Sequence, residues 1–214
     1  MQETWRWFGP KDTVSLEQIR QAGATGIVTA LDHIPTGEIW PKQDINERKQ
    51  LINQSGLEWS VVESVPIHQD IKLRNGNSRG LITNYCQTLI NLGELGVTRV
   101  CYNFMPVVDW TRTNLNFEIN NTSSALRFEM ADFVAYDIHI LKRHNASSDY
   151  DEIQLANAEE RFLQMTASDK AELESNIIAG LPGGEGSYTR ESITRAIEDF
   201  RGIGTEGLRA NLIA

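Results

Sequence analysis

The sequence predicts an α/β protein in which strand–helix units feed a parallel sheet. Three observations carry that reading. Short apolar, β-branched runs recur four times in the first half of the chain. A helical pattern follows each of the first three, and those helices close on Gly23, Gly56 and Gly96.

The elements follow in order. Thr4 to Phe8 is a short aromatic strand closed by Gly9-Pro10. Ser15 caps the helix LEQIRQ, with Gln18 three residues on as the second half of a capping box, and Gly23 ends it. Gly26 to Leu31 (GIVTAL) is a buried-strand pattern. After the loop DHIPTGEIW, Pro41 opens a helix that runs to Gly56. Trp59 to Val65 is the third strand. A helix over Ser78 to Leu95 sets Leu81, Tyr85, Leu89 and Leu92 on one face, and Arg99 to Met105 is the fourth strand.

Beyond Met105 the rhythm breaks. Residues from about 106 to 186 hold a polar loop and a hairpin (LNFEINNTSSALRF). Helices are expected near Asp132 to Leu141, Asp151 to Met165 and Ser168 to Ala179, followed by a Gly/Pro-rich hinge at Leu181 to Gly186. This reads as an insertion at the C-terminal end of the fourth strand, where (β/α)8 TIM barrels place functional loops. Tyr188 to Gly202 resumes a helix, and TEGLRANLIA opens another.

A TIM barrel takes about 250 residues without large insertions. The expected organisation is therefore residues 1–214 as the N-terminal part of a single barrel domain: four βα units plus the insertion, with the C-terminal half missing. An open doubly wound sheet is the alternative. Against it, no GxGxxG or GxxxxGK[ST] turn is present.

Composition narrows function less. Of 214 residues, 40% are hydrophobic and 23% charged, the ordinary balance of a globular domain. A net charge of −9 without a basic cluster argues against a nucleic-acid partner. No apolar run reaches the ~20 residues of a membrane span, and the N-terminus lacks the pattern of a secretory leader. Cys86 and Cys101 form no disulfide framework, and two reduced thiols fit a cytoplasmic location.

Candidate chemistry sits at strand ends. His33, just past the second strand, is either a ligand, base or substrate donor, or a loop histidine held by its backbone. Glu63 lies inside the third strand, where a carboxylate is costly unless paired or used, and His68 follows it. On and after the fourth strand, Asn103 suits a hydroxyl, Arg112 suits a carboxylate, and Trp110 suits the face of a sugar. Equally, Trp110 packs under the insertion and Arg112 caps a loop. Arg6 faces either a substrate carboxylate or the bottom rim, and His139 and His144 read as surface residues. These residues point to a polyol or sugar-acid enzyme on a βα barrel.

Several long segments resemble the mannonate dehydratase family: TWRWFGP (4–10), the stretch around 16–35, WSVVESVPIH (59–68), VCYNFMPVVDWTRT (100–113), ALRFE (125–129), HILKR (139–143) and NIIAGLPG (176–183). The resemblance implies a TIM barrel of the xylose-isomerase-like group. It implies a metal-dependent lyase that dehydrates D-mannonate to 2-keto-3-deoxy-D-gluconate in hexuronate (glucuronate) catabolism, with Mn2+ or Fe2+. Family members are nearly twice as long, and the resemblance places their metal ligands and acid–base residues mostly in the second half. No metal-binding or catalytic residue is therefore assigned here. His33, Glu63, Asn103, Trp110 and Arg112 are expected to wall the substrate pocket. Asp32 is a small departure, standing where the family pattern leads one to expect His or a similar polar residue. The expected partners are the sugar acid and other copies of the chain in a possible homo-oligomer, and the 214-residue chain alone is expected to be inactive. The alternatives are a sugar isomerase or epimerase on the same barrel, or a non-catalytic truncated remnant.

Overall fold

The computed structural model describes residues 1–108, 110–120, 122–179 and 188–213. The chain divides into two compact units. One holds Met1–Pro106 and the described residues from Gly202 onward; the other begins at Val107 and contains the described residues up to Arg201.

In the first unit, β1 (Thr4–Arg6), β2 (Gly26–Thr29) and β3 (Glu58–Val62) form a parallel sheet in the order β1-β2-β3. Thr4 pairs with Gly26, and Gly26 with Glu58. Gly26 has to be glycine, because a Cβ there would meet the Ser60 hydroxyl at 2.2 Å. The expected fourth strand over Arg99–Met105 is present as one parallel bridge, Val62 to Val100. Its bonds are Val62 N–H to Arg99 O and Cys101 N–H to Val62 O, both 2.9 Å. β3 ends at Val62, so the residues beyond Cys101 have no further ladder on that strand.

Helices α1 (Leu16–Gln21), α2 (Lys42–Gln54) and α4 (Ser78–Glu94) contribute to one core with the sheet. α1 starts as its sequence requires: Ser15 Oγ accepts the Gln18 N–H at 3.3 Å, and Gln18 Oε1 accepts the Ser15 N–H at 2.8 Å. α2 buries Ile45, Arg48 and Ile52, a three- and four-residue spacing that marks one helix face. With Trp7, Ile19, Ile27, Leu31, Trp40, Trp59, Val62 and Leu92 these isoleucines make the core. Each such side chain contributes roughly 1.5–3 kcal/mol by leaving water.

Two buried polar residues of α4 tie down the loop before α2. Thr88 Oγ1 accepts the Trp40 N–H at 3.0 Å, and Asn91 Nδ2 donates to Trp40 O at 2.8 Å. A short helix the sequence pattern did not suggest, α3 (Gln69–Leu73), starts at His68, whose Nδ1 accepts the Asp70 N–H at 3.1 Å. Helix α9 (Thr205–Ile213) docks on α3. Asn211 Nδ2 donates to Lys72 O at 2.8 Å, and Arg74 Nε donates to Asn211 O at 3.3 Å.

The second unit opens with an antiparallel pair, β4 (Asn114–Ile119) and β5 (Ser123–Arg127), as the hairpin pattern predicts. Then come α5 (Met130–Ala135), which runs into a π-helical turn at Tyr136–Ile140, a 3-10 turn at Ala146–Asp149, α6 (Glu152–Gln164), α7 (Ala167–Ile178) and α8 (Arg190–Asp199). Val134, Ala135, Tyr136, Ala158, Met165, Leu173 and Ile177 form its core. Asp137, 4% exposed, accepts two bonds from Arg143 Nε, at 2.9 and 3.1 Å, one from Arg143 Nη2 at 2.7 Å, and one from the Tyr150 hydroxyl at 2.7 Å. The hinge expected at Leu181–Gly186 lies outside the described residues, as does Asp109.

Candidate active site at the ends of the parallel strands

Strands of a parallel sheet share one direction, so their C-terminal ends and the loops that follow collect on one side. In the first unit this brings charged residues together. Arg6, the last residue of β1, donates from Nη1 to Trp7 O at 3.2 Å and to Val28 O at 3.4 Å, and its guanidinium lies 4.7 Å over the Phe8 ring. Asp32 and His33 follow β2. Arg48 reaches in from α2, donating from Nη1 to Ala30 O at 2.7 Å and to Thr29 Oγ1 at 3.2 Å, with its guanidinium 5.4 Å from the Trp7 ring centre. Glu63 stands just past β3.

The groups sense one another. Burial lowers the pKa of Arg6, and the charges of Asp32, Glu63 and Asp12 oppose that shift. Burial also lowers the pKa of Arg48, with Asp32 opposing and Arg6 adding to the effect. Burial raises the Asp32 carboxyl from its ordinary value, against the pull of Arg6, Arg48 and His33. The Cys101 thiol is pushed up to about 11 by burial, by its hydrogen bond to Glu63 and by the charge of that carboxylate. Two guanidiniums thus sit among carboxylates in a partly desolvated place, where charge–charge effects outweigh those on the open surface.

A cleft of about 490 Å3 opens beside this group, between the loops after β1 and β2 and the exposed flank of α2. Phe8, Lys11, Leu31, Asp32, His33 and Arg48 are among the residues that line it. His33 Nε2 lies 2.9 Å from Asp44 Oδ2, in the first turn of α2.

The five residues singled out from the sequence do not all share one place. His33 lines the cleft. Glu63 and Asn103 stand on adjacent segments, with Asn103 Nδ2 3.4 Å from the hydroxyl of Ser64, the neighbour of Glu63. Trp110 and Arg112 belong to the second unit, where Arg112 Nη1 donates to Trp110 O at 2.6 Å and the indole is 62% exposed. His139, expected at the surface, stacks on Phe162 at 4.5 Å and pairs with Glu159 at 3.1 Å. Sequence reasoning missed Arg48 and Asp44. The Ile45–Arg48–Ile52 spacing was the available signal, since it turns Arg48 toward the core side of an otherwise polar helix. Among the described residues, no three His, Cys, Asp or Glu side chains converge as metal donors. The donor set described here therefore does not fit a divalent ion by itself.

Comparison with known proteins agrees with the resemblance. The family model described as D-mannonate dehydratase (UxuA) matches residues 1–214. A mannonate dehydratase from Saccharophagus degradans is 58% identical over 212 residues, covering 99% of this chain and 53% of the relative. Mannonate dehydratase 2 of Agrobacterium fabrum is 54% identical over 214 residues, covering 100% of this chain and 54% of the relative. The crystal structure of mannonate dehydratase from Streptococcus suis serotype 2 superposes with a TM-score of 0.59 at 33% identity, covering 95% of this chain and 61% of that one. The chain thus spans about half the length of the curated relatives it matches. With a family match that runs from its first residue to its last, the chain belongs to the D-mannonate dehydratase family.

Proposed function

We propose that this chain forms the first part of a mannonate dehydratase, a hydro-lyase that converts D-mannonate to 2-dehydro-3-deoxy-D-gluconate and water in cytoplasmic glucuronate catabolism. The observation that carries the reading is the family match over residues 1–214 together with identities of 51–58% to curated relatives. The parallel order β1-β2-β3, continued by the Val62–Val100 bridge, supports a barrel of the xylose-isomerase-like TIM type, with residues 1–214 as its N-terminal part and residues of about 106–186 as an insertion.

In this reading the chain's own residues bind and orient. Arg6 and Arg48 give the strand ends a positive potential suited to a carboxylate. His33 and Asn103 hydrogen-bond hydroxyls, Glu63 lies close enough to Arg6 to act on its charge, and Trp110 and Arg112 are further substrate-binding residues, suited to a sugar face and to a carboxylate. The two guanidiniums favour a sugar acid over the neutral sugar of an isomerase or epimerase. A divalent ion, Mn2+ or Fe2+, belongs to the whole protein. Among the described residues no three His, Cys, Asp or Glu side chains converge to hold it. A homo-oligomer fits the same reading.

The test is to incubate the whole gene product with D-mannonate and Mn2+ and to follow the 2-keto acid. Product formation is expected, with no turnover of aldoses or ketoses. The 214-residue chain assayed in parallel is expected to give none. A whole product that ignores D-mannonate would end the proposal, and isomerisation of a neutral sugar would replace it.

A further inference from the structure

The cleft beside α2 contains a pairing that the binding roles above do not explain. Among the described residues His33 is held through one ring nitrogen: Nε2 faces Asp44 Oδ2 at 2.9 Å. Both partners rest on fixed backbone. Asp44 precedes the buried Ile45, on a helix tied to the end of β2 through Arg48 and Ala30 O. His33 sits in a tight turn where the Ile34 N–H donates to Leu31 O at 3.1 Å, and the far end of its loop is clamped at Trp40 by Thr88 and Asn91.

Asp44 stands in the first turn of α2, at the positive end of the helix dipole. An ionised carboxylate only accepts hydrogen bonds. A neutral His33 must therefore carry its proton on Nε2, which leaves the Nδ1 lone pair as the acceptor available to a ligand. An acceptor of fixed direction suits a hydroxyl. Elsewhere the cleft offers Lys11 and Arg48 to an anionic group and the apolar faces of Phe8 and Leu31 to carbon. Asp32 and Glu47 are the remaining charged groups lining it, and Asp32 lies close enough to His33 to act on it through charge.

We propose that Asp44 is a positioning residue: it holds the His33 imidazole in the Nε2–H tautomer, so that Nδ1 accepts a hydrogen bond from a hydroxyl of a polyhydroxylated carboxylic acid bound in the cleft. The ligand class rests on the dehydratase reading; the tautomer does not.

The experiment has two arms. In the 214-residue chain, imidazole 15N spectra above the titration range of histidine are compared between wild type and Asp44→Ala. The wild type shows His33 as the Nε2–H tautomer, and D44A relaxes toward the mixture of free imidazole. Identical spectra would overturn the proposal. In the whole gene product, D44A raises KM for D-mannonate about 3- to 10-fold, the loss of one well-placed hydrogen bond, while kcat changes little. D44E restores part of the loss, and D44A adds nothing in a His33→Asn background. Additive costs, or a fall in kcat with KM unchanged, would also overturn it. If the wild type neither binds nor turns over D-mannonate, the dehydratase reading fails, and the 15N spectra still decide the role of Asp44.

Discussion

Arg48, a helix residue, donates a 2.7 Å hydrogen bond to the carbonyl oxygen of Ala30, just past the end of β2. The same Nη1 reaches Thr29 Oγ1, and Thr29 is itself fully buried. Arg48 thus pins α2 to the sheet through a charge-assisted bond. Truncation to alanine leaves a buried carbonyl and a buried hydroxyl without a donor. Arg48→Ala should cost about 2–4 kcal/mol, and Arg48→Lys less. Urea denaturation of the 214-residue chain measures both. A cost for R48A below about 0.5 kcal/mol would mean that water replaces the guanidinium freely.

The second unit has its own anchor. Asp137 takes the forked guanidinium of Arg143 and the hydroxyl of Tyr150, and Arg143 also pairs with Asp149 at 2.8 Å. Burial and Asp137 both raise the Tyr150 phenol above its ordinary value. Asp137→Ala should destabilise by about 2–4 kcal/mol, because it strands a half-buried guanidinium. Tyr150→Phe should cost about 1–2 kcal/mol. Hydrogen exchange in α5 and α6 should accelerate in both variants, and unchanged protection there would contradict the assignment.

Asp32 gives a pH signature. Burial raises its folded-state pKa, so the folded protein holds this proton more firmly than the unfolded chain does. The stabilising contribution of Asp32 is full below the unfolded value and is lost as pH rises through the folded one. Near neutrality the ionised carboxylate is therefore a net burden. Asp32→Asn should raise Tm relative to wild type at neutral pH, and the gap should narrow on acidification below about pH 4. A gap that widens in acid would show that the attraction of Arg6 and Arg48 outweighs the desolvation of Asp32.

Thiol chemistry separates the two cysteines. Cys86 is exposed, whereas Cys101 is part-buried against Glu63 with its thiol pushed up to about 11. At pH 8 iodoacetamide should label Cys86 at least about tenfold faster, since the thiolate is the nucleophile. Glu63→Gln removes the neighbouring negative charge and should speed Cys101 labelling without changing Cys86. Mass spectrometry of timed digests reads both rates, and equal rates in the wild type would contradict the burial of Cys101.

Local chemistry was the most legible part of the sequence. The Ser15–Gln18 box, the hairpin around Phe117 and Ala125, and the start of α6 at Asp151 follow from side chains that bond their own neighbours. The fourth strand was less legible, because its length depends on how far β3 continues beside it, a tertiary fact that an apolar run does not encode. Helix α3 was overlooked because a histidine supplies its cap. For the site, strand-end position led to His33, Glu63 and Asn103. Arg48 stayed hidden, since a cation in a polar helix looks solvated until the core beneath it is known. Trp110 and Arg112 lie near Asn103 in the sequence but belong to the other unit.

The sheet has one further consequence, for synthesis at the ribosome. Its strands lie side by side in the order in which they are made: Thr4 meets Gly26, and Gly26 meets Glu58. Each emerging strand finds its neighbour already present, and the intervening helix is the segment just completed. Loop closures within β1-β2-β3 stay short, which favours rapid pairing of these three strands. The three-stranded sheet, though not the later-made α9 that docks on α3, is thus suited to assemble from its N-terminus while translation is still under way.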